Sequence, residues 1–130
     1  DSYLVENDTG YAAKCLNETI PGRPWVEGEE GDGVGSLITI SSQSSISVLV
    51  ISNGFVSNNP RTYTNNNRVK DIKITDRNDE GKSLAVTLPD SPEPFEIQLP
   101  FSSSEIQLEI QSVYKGEKYD DTCLNYIRCR

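Results

Sequence analysis

The chain has no histidine and no methionine, and only three cysteines and one tryptophan in 130 residues. Without histidine it lacks the commonest general base near neutral pH, the Ser-His and Cys-His nucleophile systems, and histidine-ligated zinc or copper. The cysteines, at 15, 123 and 129, fall short of the four close ligands of a structural zinc site and fit one disulfide plus a remaining thiol. A bridge from Cys15 to the tail would close nearly the whole chain, worth roughly 3–5 kcal/mol by loop entropy. Such a bridge points to an exported protein, in a secreted, periplasmic or cell-surface setting. The missing initiator methionine is consistent with a processed or excised chain.

Basic residues are also few. Twelve Lys and Arg stand against 20 Asp and Glu, a net charge of −8. This balance argues against binding nucleic acid, which needs clustered Lys and Arg, and against docking on anionic lipid. No apolar run approaches a membrane span, and no basic-then-apolar signal opens the chain, so membrane insertion is not expected. An acidic surface suits cations or neutral ligands such as glycans. The length is that of a single domain, 1–130, able to bury a real core.

The dominant pattern is alternation with period two. Strands are expected over 37–40, 45–51, 69–75, 83–88, 95–99 and 105–114. The second is apolar on both faces towards its end, as a central strand would be. The last sets Ile106, Leu108 and Ile110 on one face against Glu105, Gln107, Glu109 and Gln111 on the other. Gly, Pro, Asn and Asp clusters separate these runs. Helical signals are weak, with one short turn conceivable over 9–16. Six or more short strands predict an all-β fold, an antiparallel β-sandwich. Residues 1–35 and 52–68 read as two long non-strand stretches, and loops of that length are functional or pinned to the scaffold.

The segment Pro24-Trp25-Val26-Glu27-Gly28-Glu29-Glu30-Gly31-Asp32-Gly33-Val34-Gly35 combines the sole tryptophan with carboxylates and glycines just before the first clear strand. It reads as a shaped loop at a sheet edge that could stack a sugar or hold a cation. Its bland alternative is a core tryptophan followed by a solvated acidic turn. Asp76-Arg77-Asn78-Asp79-Glu80-Gly81 begins like a calcium loop, but its twelfth position is Thr87 and no helices flank it, which makes it a hairpin turn. In Tyr119-Asp120-Asp121-Thr122-Cys123, adjacent carboxylates, a hydroxyl and turn carbonyls match the oxygen ligands that calcium prefers. Phe55, Tyr63, Tyr114, Tyr119 and Tyr126 lie near loops or strand ends, where a ring could meet a sugar. Arg61, Arg68 and Lys70 flank the Asn-rich stretch 53–67; with it they make either donors for sugar hydroxyls or a network bracing a long loop. No carboxylate pair singles itself out as an acid and a nucleophile, so no enzyme is expected. Asn7-Asp8-Thr9 and Asn17-Glu18-Thr19 have the form of glycosylation sequons.

Taken in order, Trp25-Val26-Glu27-Gly28, Gly31-Asp32-Gly33-Val34-Gly35, Ile51-Ser52-Asn53-Gly54-Phe55, Tyr63, Asn66-Asn67-Arg68-Val69-Lys70 and Tyr114-Lys115-Gly116-Glu117-Lys118-Tyr119-Asp120-Asp121-Thr122-Cys123 resemble the discoidin-like module attached to bacterial NAD-glycohydrolase toxins and other exported bacterial proteins. The resemblance spans about residues 11 to 127. It implies a galactose-binding-like jelly roll and a non-catalytic role in binding a glycan or cell-surface ligand. It places that ligand across loops at one end of the sandwich, with Trp25, Glu27, Asp32, Asn53, Tyr63, Asn67 and Arg68 as candidates. The alternative for these residues is that they preserve loop shape. It also implies a structural calcium ion near Asn17, Glu18, Asp121 and Thr122, although Leu16-Asn17-Glu18-Thr19-Ile20-Pro21-Gly22 departs from the acidic loop of relatives. Cys15 and Cys129 lie outside the shared motifs, which suggests that they pair and leave Cys123 unbridged. The competing function is docking of a partner protein, with no sugar bound.

Overall fold

A computed structural model describes residues 33–130 in full, together with the backbone of three earlier strands. Those are β1 (Tyr3–Asn7), β2 (Ala12–Cys15) and β3 (Trp25–Val26). The remaining elements are β4 (Leu37–Asn53), α1 (Arg61–Asn65), β5 (Asn67–Asp76), β6 (Ser83–Thr87), β7 (Phe95–Tyr114) and β8 (Thr122–Cys129). The sandwich expectation holds: the fold is an all-β jelly roll.

Two long strands build both layers. β4 joins the expected strands at 37–40 and 45–51 into one, and β7 does the same for 95–99 and 105–114. They pair antiparallel along their length, with register shifts between Ser41 and Ile46 and between Ile46 and Val48. These irregularities mark the corner, where a bulged strand bends and changes layer. The serine-rich sequence there, Ser41-Ser42-Gln43-Ser44-Ser45 facing Ser102-Ser103-Ser104, has no bulky side chain to oppose the bend.

Hydrogen bonding runs in the order β2-β1-β4-β7-β5-β8-β3, with β6 added outside β5. Because β8 also pairs with β4, strands β4, β7, β5 and β8 form a closed circuit. The β5–β8 link is parallel and short, Asn67 opposite Thr122 and Arg68 opposite Cys123. Inside lies an isoleucine-rich core that includes Ile38, Ile40, Ile46, Ile51, Ile72, Ile74, Ile106 and Ile110. Alternation explains it: each strand sends every second side chain inward, and β-branched residues suit that pleated surface.

Residues 1–35 are not wholly strand-free, since they supply β1, β2 and β3, and the short turn of helix expected over 9–16 is instead partly β2. The stretch 52–68 contains α1, and the tail forms β8. These elements escape a pattern search because β1, β2, β3 and α1 are five residues or shorter. In β8, a register shift between Ser52 and Asn53 breaks the alternation around Asn125. The segment 76–82 is the expected hairpin turn, closed by Asp79 N–H to the Asp76 carbonyl and Lys82 N–H to the Asp79 carbonyl.

Ile40 is fully buried between the layers. Ile40→Ala should therefore lower unfolding free energy by about 2–5 kcal/mol without changing the fold, measured by urea denaturation.

Candidate functional site

One end of the sandwich is built from residues 53–68, 88–94 and 115–122, and the polar groups of these segments face one another. Asn53, at the end of β4, is 2 % exposed. Its side-chain amide donates to the Val69 carbonyl (2.6 Å) and to that of Pro89 (3.5 Å), while its Oδ1 accepts from Val69 N–H (2.9 Å). A carboxamide carries the same donor and acceptor as a peptide group, so Asn53 substitutes for a neighbouring strand where β5 begins.

Asn67 is completely buried. Its Nδ2 donates to the Asp120 carbonyl (2.9 Å), to Asp120 Oδ1 (3.1 Å) and to Thr122 Oγ1 (3.4 Å), and its Oδ1 accepts from Gly116 N–H (2.6 Å). The backbone follows suit: Asn67 N–H donates to the Asp121 carbonyl, and Lys118 and Tyr119 N–H both donate to the Asn65 carbonyl. A Cβ at Gly116 would come within 2.4 Å of the Asn65 carbonyl oxygen, so only glycine permits this approach.

The third anchor is Arg68. Its Nε and Nη2 donate to Asp90 Oδ1 and Oδ2 (3.0 and 2.9 Å), a two-point charge-assisted pair. Nη1 donates to the carbonyls of Thr64, Asn66 and Lys115 (3.3, 3.1 and 3.3 Å). The guanidinium lies 5.1 Å from the centre of the Tyr63 ring, whose hydroxyl donates to Asp90 Oδ1 (2.8 Å). Beneath the ring sits Gly54, at φ +82°, where a Cβ would fall 2.4 Å from Tyr63 Cε2. Burial and the neighbouring Asp90 carboxylate push the Tyr63 hydroxyl pKa well above its ordinary value. The Arg68 hydrogen bonds hold the Asp90 pKa below the ordinary carboxylate value.

Four candidate ligand residues, Asn53, Tyr63, Asn67 and Arg68, thus meet at one end, with the polar atoms described above engaged within the chain. Trp25 contributes its backbone to β3, opposite Leu124. Its side chain, along with Glu27, Asp32, Asn17 and Glu18, lies outside the described residues. Asp121 is exposed and its carbonyl already accepts from Asn67 N–H, whereas Thr122 is buried. Among the described residues no group of three or more acidic, His or Cys side chains comes together, so they do not by themselves fit a calcium ion. β2 and β8 approach each other in the fold, which brings the strands carrying Cys15 and Cys129 close, although the Cys15 side chain lies outside the described residues.

The outward side of this end carries different residues. Tyr119 is 48 % exposed, with Lys118 Nζ 5.3 Å from its ring centre. Arg61 is exposed on α1, and Lys115 Nζ bonds Asp120 Oδ1 (3.1 Å), the oxygen that also accepts from Asn67. Tyr119 was visible in the sequence as an aromatic within a motif; only the structure separates it from Tyr63, whose ring is stacked inside the end.

A family model described as the NAD glycohydrolase translocation F5/8 type C domain matches residues 1–129. No curated protein matches the chain. Among solved structures, the fold is similar to part of the arabinofuranosyltransferase AftD from mycobacteria, seen by cryo-electron microscopy. That likeness has a TM-score of 0.56 at 13% identity, and covers 87% of this chain and 9% of the much longer one.

Two outcomes are expected, one of the anchored end and one of the lowered carboxylates. Gly54→Ala should cost about 2–4 kcal/mol in urea denaturation, because strain at positive φ adds to the clash with Tyr63. Asp90, Asp71 and Asp76 all have lowered pKa values, held down chiefly by Arg68, Ser112 and Ser103 respectively. Their stabilisation is therefore fully present above the unfolded carboxylate value of about 3.9 and is lost as pH falls through the depressed folded values. A stability–pH series should be flat through this contribution at neutral pH and drop in acid, with a smaller drop in Asp90→Asn.

Proposed function

We propose, from the premise that this chain belongs to the NAD glycohydrolase translocation F5/8 type C domain family, that it is a non-catalytic attachment module of an exported protein, binding a cell-surface glycan at the end of the sandwich that carries Tyr119. The observation that supports this is the division of labour at that end. Asn53, Asn67 and Arg68 use their polar atoms inward and hold the loops in one arrangement, and Tyr119 stands outward on that frame with Lys118 over its ring. A half-exposed aromatic on a rigid backbone loses little entropy on stacking against a sugar ring. Arg61 and Lys118 add cationic donors suited to hydroxyl or carboxylate substituents.

In this reading the inner residues act on the ligand through loop shape, and Tyr119 touches it. Trp25 of β3 and, after it in the sequence, Glu27 and Asp32 belong to the same proposal as contributors. A Cys15–Cys129 bridge would fasten β2 to the end of β8 in an oxidising environment. No part of the proposed binding requires a metal.

A glycan array in calcium-containing buffer tests the reading. Binding to a related set of sugars is expected, reduced at least about tenfold by Tyr119→Ala with an unchanged melting temperature; that is the loss of one stacked ring, about 1.4 kcal/mol. Arg68→Ala should also lose binding, but together with stability. A blank array from folded protein would overturn the glycan reading in favour of a protein partner, which the translocation description of the family also suits.

A further inference from the structure

β6 is an edge strand whose outer side is open among the described residues. It pairs only with β5 among the described residues, with Val86 opposite Ile72 and Leu84 opposite Ile74. The flanking bonds, Asp76 N–H to the Lys82 carbonyl and Leu88 N–H to the Lys70 carbonyl, fix which residues face β5. In an antiparallel ladder the bonded residues alternate, so Lys82, Leu84, Val86 and Leu88 bond inward. Ser83, Ala85 and Thr87 therefore turn their N–H and C=O groups to the open side, and all three are exposed.

We propose that β6 is a self-pairing edge: two copies of this chain join β6 to β6′ antiparallel about a two-fold axis through Ala85, continuing one sheet across both. The outward-facing positions are symmetric about Ala85. In that register Ser83 bonds Thr87′, Ala85 bonds Ala85′ and Thr87 bonds Ser83′, so every open group finds a partner and none is left over. No other register satisfies all three, and a two-fold contact requires such self-complementarity.

Side chains agree with the backbone. Leu84 and Val86 are half-buried at the rim of the core, and pairing sets Leu84 against Val86′ on that face, extending the core over both. On the other face Ser83, Ala85 and Thr87 are small. Although each chain carries a net charge of −8, no ionisable residue lies between 83 and 88, so two copies meet here without like charges opposed. The nearest charges are already committed or offset: Asp71 accepts from Thr87 and Ser112, and Lys82 pairs with Asp79. Lys73 stands one strand further in, beside Ala85 on β5.

The free side of β7 over 95–99 contrasts with this. It is bracketed by Pro94 and Pro100 and carries Glu96, which Arg130 holds at 2.8 Å. Proline and charge are the usual defences of an edge against pairing; within β6, Ser83–Thr87, there is neither, and Lys82 and Pro89 lie just outside it. Pairing at β6 is independent of any ligand at the loop end.

Sedimentation equilibrium and amide exchange by NMR, over a concentration series reaching the millimolar range, test the proposal. A monomer–dimer equilibrium is expected, with exchange at Ser83, Ala85 and Thr87 slowing as concentration rises while Leu84 and Val86 are protected throughout. Ala85→Pro removes an N–H that the protomer does not use and should weaken association at least about tenfold, as the loss of two hydrogen bonds would. Ala85→Glu, which sets two carboxylates on the axis, should do the same and serves if the proline variant does not fold. A chain that stays monomeric throughout, or a dimer that both variants leave intact, overturns it.

Discussion

The guanidinium of Arg68 ties together parts of the chain that the sheets alone leave separate. It grips Asp90 at two points, takes the carbonyls of Thr64, Asn66 and Lys115, and lies against Tyr63 over Gly54. A buried arginine is costly unless its donors are all met, and here the partners come from three different connections. The need to satisfy one buried cation thus sets the spacing of every loop at this end. Asn53 and Asn67 extend the same logic with neutral groups, each replacing peptide hydrogen bonds that a strand end would otherwise forfeit.

This accounts for what the sequence made legible. The inward Ile and Leu of β4, β5 and β7 repeat every second position over long runs, and their number and separators were enough for the sandwich. The ordered loop motifs were enough for the family. What the sequence left open was the destination of the Asn and Arg side chains, because a donor that braces a loop and one that meets a sugar are the same residue in one dimension. Only the partners decide: Asp120 for Asn67, Asp90 for Arg68, Val69 for Asn53. Those pairings link residues far apart in the chain and follow no period. The short elements β1, β2, β3 and α1 were hidden for a related reason, since their stability comes from what they pack against.

On the proposed reading, loop shape and ligand contact are distinct tasks assigned to neighbouring residues. In Asn66-Asn67-Arg68 the side chains point inward and hold; in Lys118-Tyr119 they stand outward. Variation among relatives could change the outward pair while the inward triplet kept the frame, and a family could in that way meet different surfaces without altering its scaffold. The net charge of −8 opposes adventitious attachment to nucleic acid or anionic lipid.

The closed circuit of β4, β7, β5 and β8 also governs how the chain comes into being. β4 is made early, yet one of its sides is completed only by β8, the final strand, and β5 and β8 meet only through residues 67–68 and 122–123. During synthesis the chain carries an unsealed apolar seam until β8 emerges. The circuit closes only once β8 has been made and can lie beside β4 and β5. Until then the strands before β8 remain threadable, because the seam that would make them rigid is still open.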